Sequence, residues 1–171
     1  MSLRRCRRDA LTPGAFVVRQ IQPWFANVGK RLVKSPKVYL RDTGLLHALL
    51  GLEDWLGVHS HPKLGFSWEG FVLEQIIHWT RAERDTYYYR TQAGAELDLL
   101  LMRNGKHYGF ECKYEDAPRS TKSMHVVHRD LQLEQLWVLS PGSERYPLWD
   151  GAEVIPLQDL PQVLAQHGLL P

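Results

Sequence analysis

Apolar positions recur along the chain with two periods, and the switches between them mark the elements. Phe16 to Ile21 is apolar and β-branched, Asn27 to Gly29 carries a turn signal, and Lys37 to Leu40 can return as a second strand. This predicts a basic hairpin with Arg31, Lys34 and Lys37 around it. Asp42 can cap a short helix in which Leu45, Leu46, Leu49 and Leu50 recur at helical spacing until Gly51 ends it. After a loop containing Gly, His and Pro, Ser67 can cap a longer helix to about Arg81, with Val72, Leu73, Ile76 and Thr80 in one stripe. The period then falls to two. Tyr87 to Arg90, Glu96 to Met102 and Tyr108 to Lys113 read as three strands separated by turns at Gly94 and Asn104-Gly105, the last pair as a hairpin. Ser120 to Val127 reads as a weak helix or loop, Leu136 to Leu139 as a short strand, and Asp159 to His167 as a final helix after the Ile155-Pro156 break. Helix, three strands, helix and strand in this order predict an α/β or α+β fold with a mixed central sheet.

Charged residues inside the apolar pattern locate the candidate chemistry. Strand alternation predicts Glu96, Asp98, Leu100 and Met102 on one face and Leu97, Leu99 and Leu101 on the other. Asp98 interrupts an otherwise apolar strand, and a buried carboxylate costs several kcal/mol unless a cation or donors satisfy it, so it needs a partner. On the adjoining strand the same alternation pairs Glu111 with Lys113 and sets Phe110 with Cys112 on the opposite face. At 100° per residue Glu69 falls near the middle of the helix stripe, whereas Glu74 lies about 140° away. Glu69, Asp98 and Glu111 can therefore converge into an acidic pocket, and oxygen donors suit Mg²⁺ or Mn²⁺ rather than zinc.

Composition narrows the function classes. The 171 residues are 44% hydrophobic and 23% charged, which suits a globular chain that buries roughly 70% of its unfolded surface and excludes disorder as its main state. No apolar run approaches the ~20 residues of a membrane helix. The basic start, Met1 to Arg8, lacks the apolar stretch of a signal peptide. Two cysteines, Cys6 and Cys112, make no disulfide framework, and a reducing, cytoplasmic setting is expected. The net charge of +2 hides an asymmetry: ten Lys and Arg against Asp9 and Asp42 in residues 1–50, and eleven against seventeen acids in residues 51–171. A basic arm beside an acidic domain suits a phosphate backbone on one side and divalent cations on the other. Lys30, Arg31, Lys34 and Lys37 are the candidate nucleic-acid contacts. The eight histidines lack zinc spacing, Cys112 reads as a core residue rather than a nucleophile, and Trp68, Trp79 and Trp137 read as core anchors.

Gly65-Phe66-Ser67-Trp68-Glu69, Tyr88-Tyr89-Arg90-Thr91, Gly94-Ala95-Glu96-Leu97-Asp98 and Glu111-Cys112-Lys113 together resemble the PD-(D/E)XK nuclease superfamily, with Leu97 where a proline is expected. More closely, Asn27 to Tyr39 followed by Asp42-Thr43-Gly44-Leu45-Leu46 resembles the uncharacterised domain at the C-terminus of AAA+-type ATPases. The resemblance spans roughly Phe16 to Leu139. It implies a restriction-endonuclease-like core, α-β-β-β-α-β around a mixed four-stranded sheet, preceded by a short basic winged-helix-like remnant. Residues 1–51 would be the linker to an ATPase half and residues 52–171 the nuclease-like domain. No Gly-x4-Gly-Lys-Ser/Thr loop occurs, so no ATP site is expected in this chain. The resemblance further implies that Asp98 and Glu111 ligate Mg²⁺ or Mn²⁺ with Glu69 as a further acid and the Cys112 carbonyl as a possible backbone ligand, and that Lys113 orients or activates water. Glu96 would stand behind Asp98. The expected function is metal-dependent hydrolysis of phosphodiester bonds, with DNA as the first partner. The rivals are an inactive module that binds nucleic acid or protein, and a small-molecule phosphodiesterase, which fits the acids but not the basic arm.

Overall fold

The structure is a computed structural model that describes residues 17–25, 29 and 32–171. Its elements are β1 (Val18–Pro23), β2 (Lys37–Leu40), α1 (Thr43–Leu49), α2 (Trp55–Ser60), α3 (Leu64–Thr80), β3 (Thr86–Arg90), β4 (Glu96–Arg103), β5 (Lys106–Cys112), α4 (Lys122–Leu131), β6 (Gln135–Ser140), β7 (Tyr146–Trp149), β8 (Ala152–Pro156) and α5 (Leu160–Gln166), with a 3-10 turn at Leu157–Asp159. The fold is α/β. One mixed sheet of eight strands runs in the order β2-β1-β3-β4-β5-β6-β8-β7.

The expected four-stranded sheet is therefore only the middle of the observed one. On one side β1 pairs in parallel with β3 through Gln22 and Pro23, and β2 pairs antiparallel with β1. On the other, β8 pairs in parallel with β6, and β7 closes the edge. The pair β7–β8 escapes the sequence pattern because Pro147 and Pro156 interrupt its runs, and proline is tolerated at an edge or a strand end. The loop expected before the long helix contains α2, whose first turn is capped by the Asp54 carboxylate accepting from the Gly57 amide at 2.7 Å. The long helix starts before Ser67, at Leu64, and Ser67 is an internal residue whose Oγ meets His47 Nε2 at 2.7 Å. Ser120 to Val127 resolves into α4, capped by Thr121. The Asn27–Val28 part of the expected turn lies outside the described residues.

Two apolar layers flank the sheet. Val72, Leu73, Ile76 and Ile77 of α3 join Leu160, Val163 and Leu164 of α5 over Leu99, Leu101, Phe110 and Trp137. Met124, Val127 and Leu131 of α4 cover Leu97, Leu100, Leu136 and Val138 on the other face. β6 alternates between the layers without a break, but β4 does not: Leu97 lies with Leu100, not with Leu99 and Leu101 as expected. The cause is a bulge. Tyr87 and Tyr89 of β3 face Leu100 and Leu97 of β4, so β4 carries one extra residue at Asp98-Leu99. An inserted residue breaks the period of two and re-aims the side chains on either side. Between β4 and β5, the Asn104-Gly105 turn takes positive φ at both residues (52° and 74°), as a two-residue hairpin demands.

Candidate active site

The bulge places Asp98 at the end of the β4–β5 ladder, whose last paired residues there are Leu99 and Phe110. The Cys112 amide beyond that point donates instead to Asp98 Oδ2 at 3.0 Å. Asp98 is 8% exposed, so its carboxylate replaces a backbone acceptor where the strands part. A cavity of about 690 Å³ opens at this point, lined by Glu69, Glu96, Asp98, Glu111, Lys113 and Tyr114, with Thr121 and Ser123 at the start of α4. The Glu96 amide donates to Ser123 Oγ at 2.9 Å, which ties the start of β4 to α4. All five residues expected in the acidic centre are thus on one wall or another of a single cavity.

Lys37 is the residue whose place sequence reasoning missed. It was expected with Lys34 on a basic surface, and Lys34 is indeed exposed. The Lys37 ammonium, however, sits among the acids, 2.9 Å from Glu69 Oε1, 2.8 Å from Glu96 Oε1 and 3.1 Å from Asp98 Oδ1, and 5.6 Å from the centre of the Tyr88 ring. Lys30 and Arg31 lie outside the described residues. The Tyr39 hydroxyl donates to Glu69 Oε1 from the same face of β2 as Lys37. The Tyr39 ring stacks on Phe66 (centroids 5.3 Å apart), and Gly70 of α3 packs beside it. The i, i+2 spacing of Lys37 and Tyr39 was the available signal that both face one way.

Electrostatics follow from this crowding. Burial and then the charge of Asp98 push the Glu69 carboxyl up, against the pull of Lys37 and Tyr39. Burial and then Asp98 push Glu111 up to about 8, although Lys113 lies 2.8 Å from its Oε1 and lowers it. Burial alone would lower Lys37 and Lys113, but Asp98 and Glu69 around the first and Glu111 beside the second outweigh it, and both ammoniums are held protonated. Burial keeps the Cys112 thiol protonated. That agrees with a packing role and gives no nucleophile.

Glu111 Oε2 is buried and has no hydrogen-bond partner. The donor set consists of hard oxygens of the kind that take Mg²⁺ or Mn²⁺, and this orphaned oxygen is where it falls one partner short. Among the described residues no three His, Cys, Asp or Glu side chains are disposed to hold a metal ion. The residues fit the ion by chemistry, and the ammonium occupies the room between three of them.

A carboxyl whose pKa is higher in the folded than in the unfolded chain binds more protons folded, so it makes stability fall as pH rises between the two values. For Glu111 that window runs from about 4.5 to about 8. Glu111→Gln is therefore expected to stabilise the chain by about 1–2 kcal/mol at pH 8 and to flatten the fall in melting temperature across that window. Calorimetric melts of both proteins from pH 5 to 8 check this; an equally steep fall in the variant contradicts it.

Among the described residues no helix is long and apolar enough to cross a membrane. Comparison with known proteins places residues 64–160, more than half of the chain, in the family described as Domain of unknown function (DUF4143). Residues 13–56 match a second family, described as Domain of unknown function (DUF8612). The uncharacterized proteins Rv2008c of Mycobacterium tuberculosis and Mb2031c of Mycobacterium bovis are each 51% identical to this chain over 152 residues, covering 89% of it and 34% of the relative. The chain thus spans about a third of the length of these relatives. Among solved structures, protein VC1899 from Vibrio cholerae aligns with a TM-score of 0.37 and 19% identity over 61% of this chain and 33% of that one.

Proposed function

We propose, from the premise that this chain belongs to the DUF4143 family, that its acid-lined cavity is a metal-dependent centre of the PD-(D/E)XK kind that hydrolyses phosphodiester bonds in DNA. The observation that carries this reading is the meeting of Asp98, Glu111 and Lys113 in one cavity with a buried, unpartnered Glu111 oxygen. Asp98, Glu111 and Glu69 would hold Mg²⁺ or Mn²⁺, with the Cys112 carbonyl at hand. The ion, when bound, lowers the pKa of water and screens the charge that develops on the phosphate. Lys113, protonated and half-buried beside Glu111, orients the attacking water by donating from Nζ. Glu96, on the same cavity wall as Asp98, stands behind it as a further acid. Lys34 and the basic residues before it supply contacts to the phosphate backbone. In the longer relatives the remaining two thirds would carry the AAA+-type ATPase whose cytoplasmic partner this domain is.

The test is cleavage of DNA by the purified chain with Mg²⁺ or Mn²⁺, against Asp98→Asn and Lys113→Ala. Asn keeps one acceptor for the Cys112 amide while removing the charge. Both substitutions are expected to lower the rate at least about a hundredfold. Equal rates in all three proteins, or no cation-dependent cleavage by any, overturn the reading. The second reading, an inactive binding module, is favoured by the closed ion pairing of Lys37. It predicts salt-sensitive DNA binding that survives Asp98→Asn and falls on Lys34→Ala.

A further inference from the structure

Lys37 reaches the cavity from an edge strand of four residues that pairs with β1 alone. Its ammonium contacts carboxylates from two other elements, Glu69 of α3 and Glu96 and Asp98 of β4, at 2.8 to 3.1 Å. A fourth carboxylate, Glu111, is 8% exposed and leaves Oε2 unpartnered on the same cavity. Four acids therefore share one site, three of them gathered on an ammonium that belongs to a different part of the chain. An ammonium and a divalent cation seek the same oxygens, but a lysine offers one charge on a flexible stem, whereas the ion offers two and takes six or more oxygens. The two cannot both fill the space between Glu69 and Asp98.

We propose that Lys37 is a tethered cation built into this site, and that it competes with a divalent cation for the carboxylates of Glu69, Glu96 and Asp98. The inference rests on the hydrolytic reading for the meaning of the site, though its test does not require turnover. With Lys37 inserted, the acids are neutralised internally and β2 is fastened to α3 and β4. When a divalent cation takes the carboxylates, Lys37 withdraws, β2 loses its ties to the cavity, and the freed ammonium stands at the mouth of the site. Whatever holds β2 against β1 thereby sets how readily the metal enters.

The experiment is titration of the intact chain with Mn²⁺, followed by calorimetry and by the electron paramagnetic resonance signal of free Mn²⁺. Lys37→Met, which keeps the apolar stem and removes the charge, is expected to bind Mn²⁺ at least about tenfold more tightly than the wild type, with its melting temperature rising further on adding Mn²⁺. Unchanged or weaker affinity overturns the proposal. Should the variant not fold without Mn²⁺, the wild type decides: saturating Mn²⁺ is expected to speed acetylation of the Lys37 amine and hydrogen exchange of the Val38 to Leu40 amides. Bound Mn²⁺ with neither change overturns it, as does absence of Mn²⁺ binding to both proteins. Tighter binding by Lys37→Met in a chain that cleaves no DNA would leave the competition standing and remove the hydrolytic reading; cleavage by a wild type whose affinity the variant shares would do the reverse.

Discussion

Trp137→Ala is expected to lower stability by about 3–5 kcal/mol, the range for truncating a fully buried tryptophan. The side chain is completely buried in β6. Its ring stacks on Tyr108 with centroids 5.9 Å apart and an 8° interplanar angle, and it meets Phe110 at 5.2 Å. Its indole nitrogen donates to Glu153 Oε1 at 3.1 Å, which binds β6 to β8. Truncation removes aromatic contacts to two residues of β5 at once, and neighbours fixed in a sheet cannot move in to fill the gap. At roughly 2–4 °C per kcal/mol for a chain of this size, the melting temperature should fall by roughly 6–20 °C. The consequence reaches the cavity, because Phe110 pairs with Trp137 in register, Glu111 with Val138, and the Lys113 amide donates to the Leu139 carbonyl at 3.0 Å. Urea midpoints of wild type, Trp137→Ala and Trp137→Phe check this, the last retaining a ring over β5 and losing less. A midpoint for Trp137→Ala within error of the wild type contradicts it.

Where one element's own residues decide its shape, the chain is legible. The Val72, Leu73, Ile76, Thr80 stripe is buried as its spacing predicts, Asp42 caps α1 by accepting from the Leu45 amide at 3.0 Å, and Asn104-Gly105 makes its hairpin. Legibility ends where the outcome depends on a second element. The bulge at Asp98-Leu99 exists only relative to β3, and nothing in a run of leucines announces an inserted residue. β7 and β8 are too short and too interrupted by proline to stand out until β6 offers them an edge. The acids Glu69, Asp98 and Glu111 were legible as a set, because each departs from an apolar pattern in its own element, whereas Glu96 was marked only by sharing the face of Asp98. Lys37 was not, because a lysine among basic neighbours reads as solvated, and only three carboxylates from distant parts of the chain make its burial affordable. The same reasoning explains why Glu74, on the outward face of α3 as expected, is nevertheless nearly buried: its partner comes from β1.

That partner is Arg19, and it governs how firmly the Lys37 strand is held. Arg19 is 8% exposed and grips Glu74 with two donors, Nε to Oε1 at 2.6 Å and Nη2 to Oε2 at 2.9 Å, while its Nη1 and Nη2 also donate to Glu83. Arg41, just after β2, adds a 3.2 Å bond to Glu74 Oε2. These bonds fasten β1 and the end of β2 to α3 at Glu74, five residues further along the helix than Glu69. Arg19→Met leaves Glu74, with a side chain only 13% exposed, to the half-exposed Arg41 alone, and is expected to cost about 3 kcal/mol, since removing one member of a buried pair strands the other charge. Arg19→Met combined with Glu74→Met should lose less than the sum of the two single changes, because an apolar pair of similar volume strands no charge. Chemical denaturation of the four proteins measures that coupling, and additive losses would show that Arg19 and Glu74 do not act as a unit. If they do, hydrogen exchange in β2 should quicken in Arg19→Met without any change at Lys37. The clamp and the ammonium then hold the strand at its two ends, and loosening the clamp lowers the free energy a divalent cation must supply to displace Lys37.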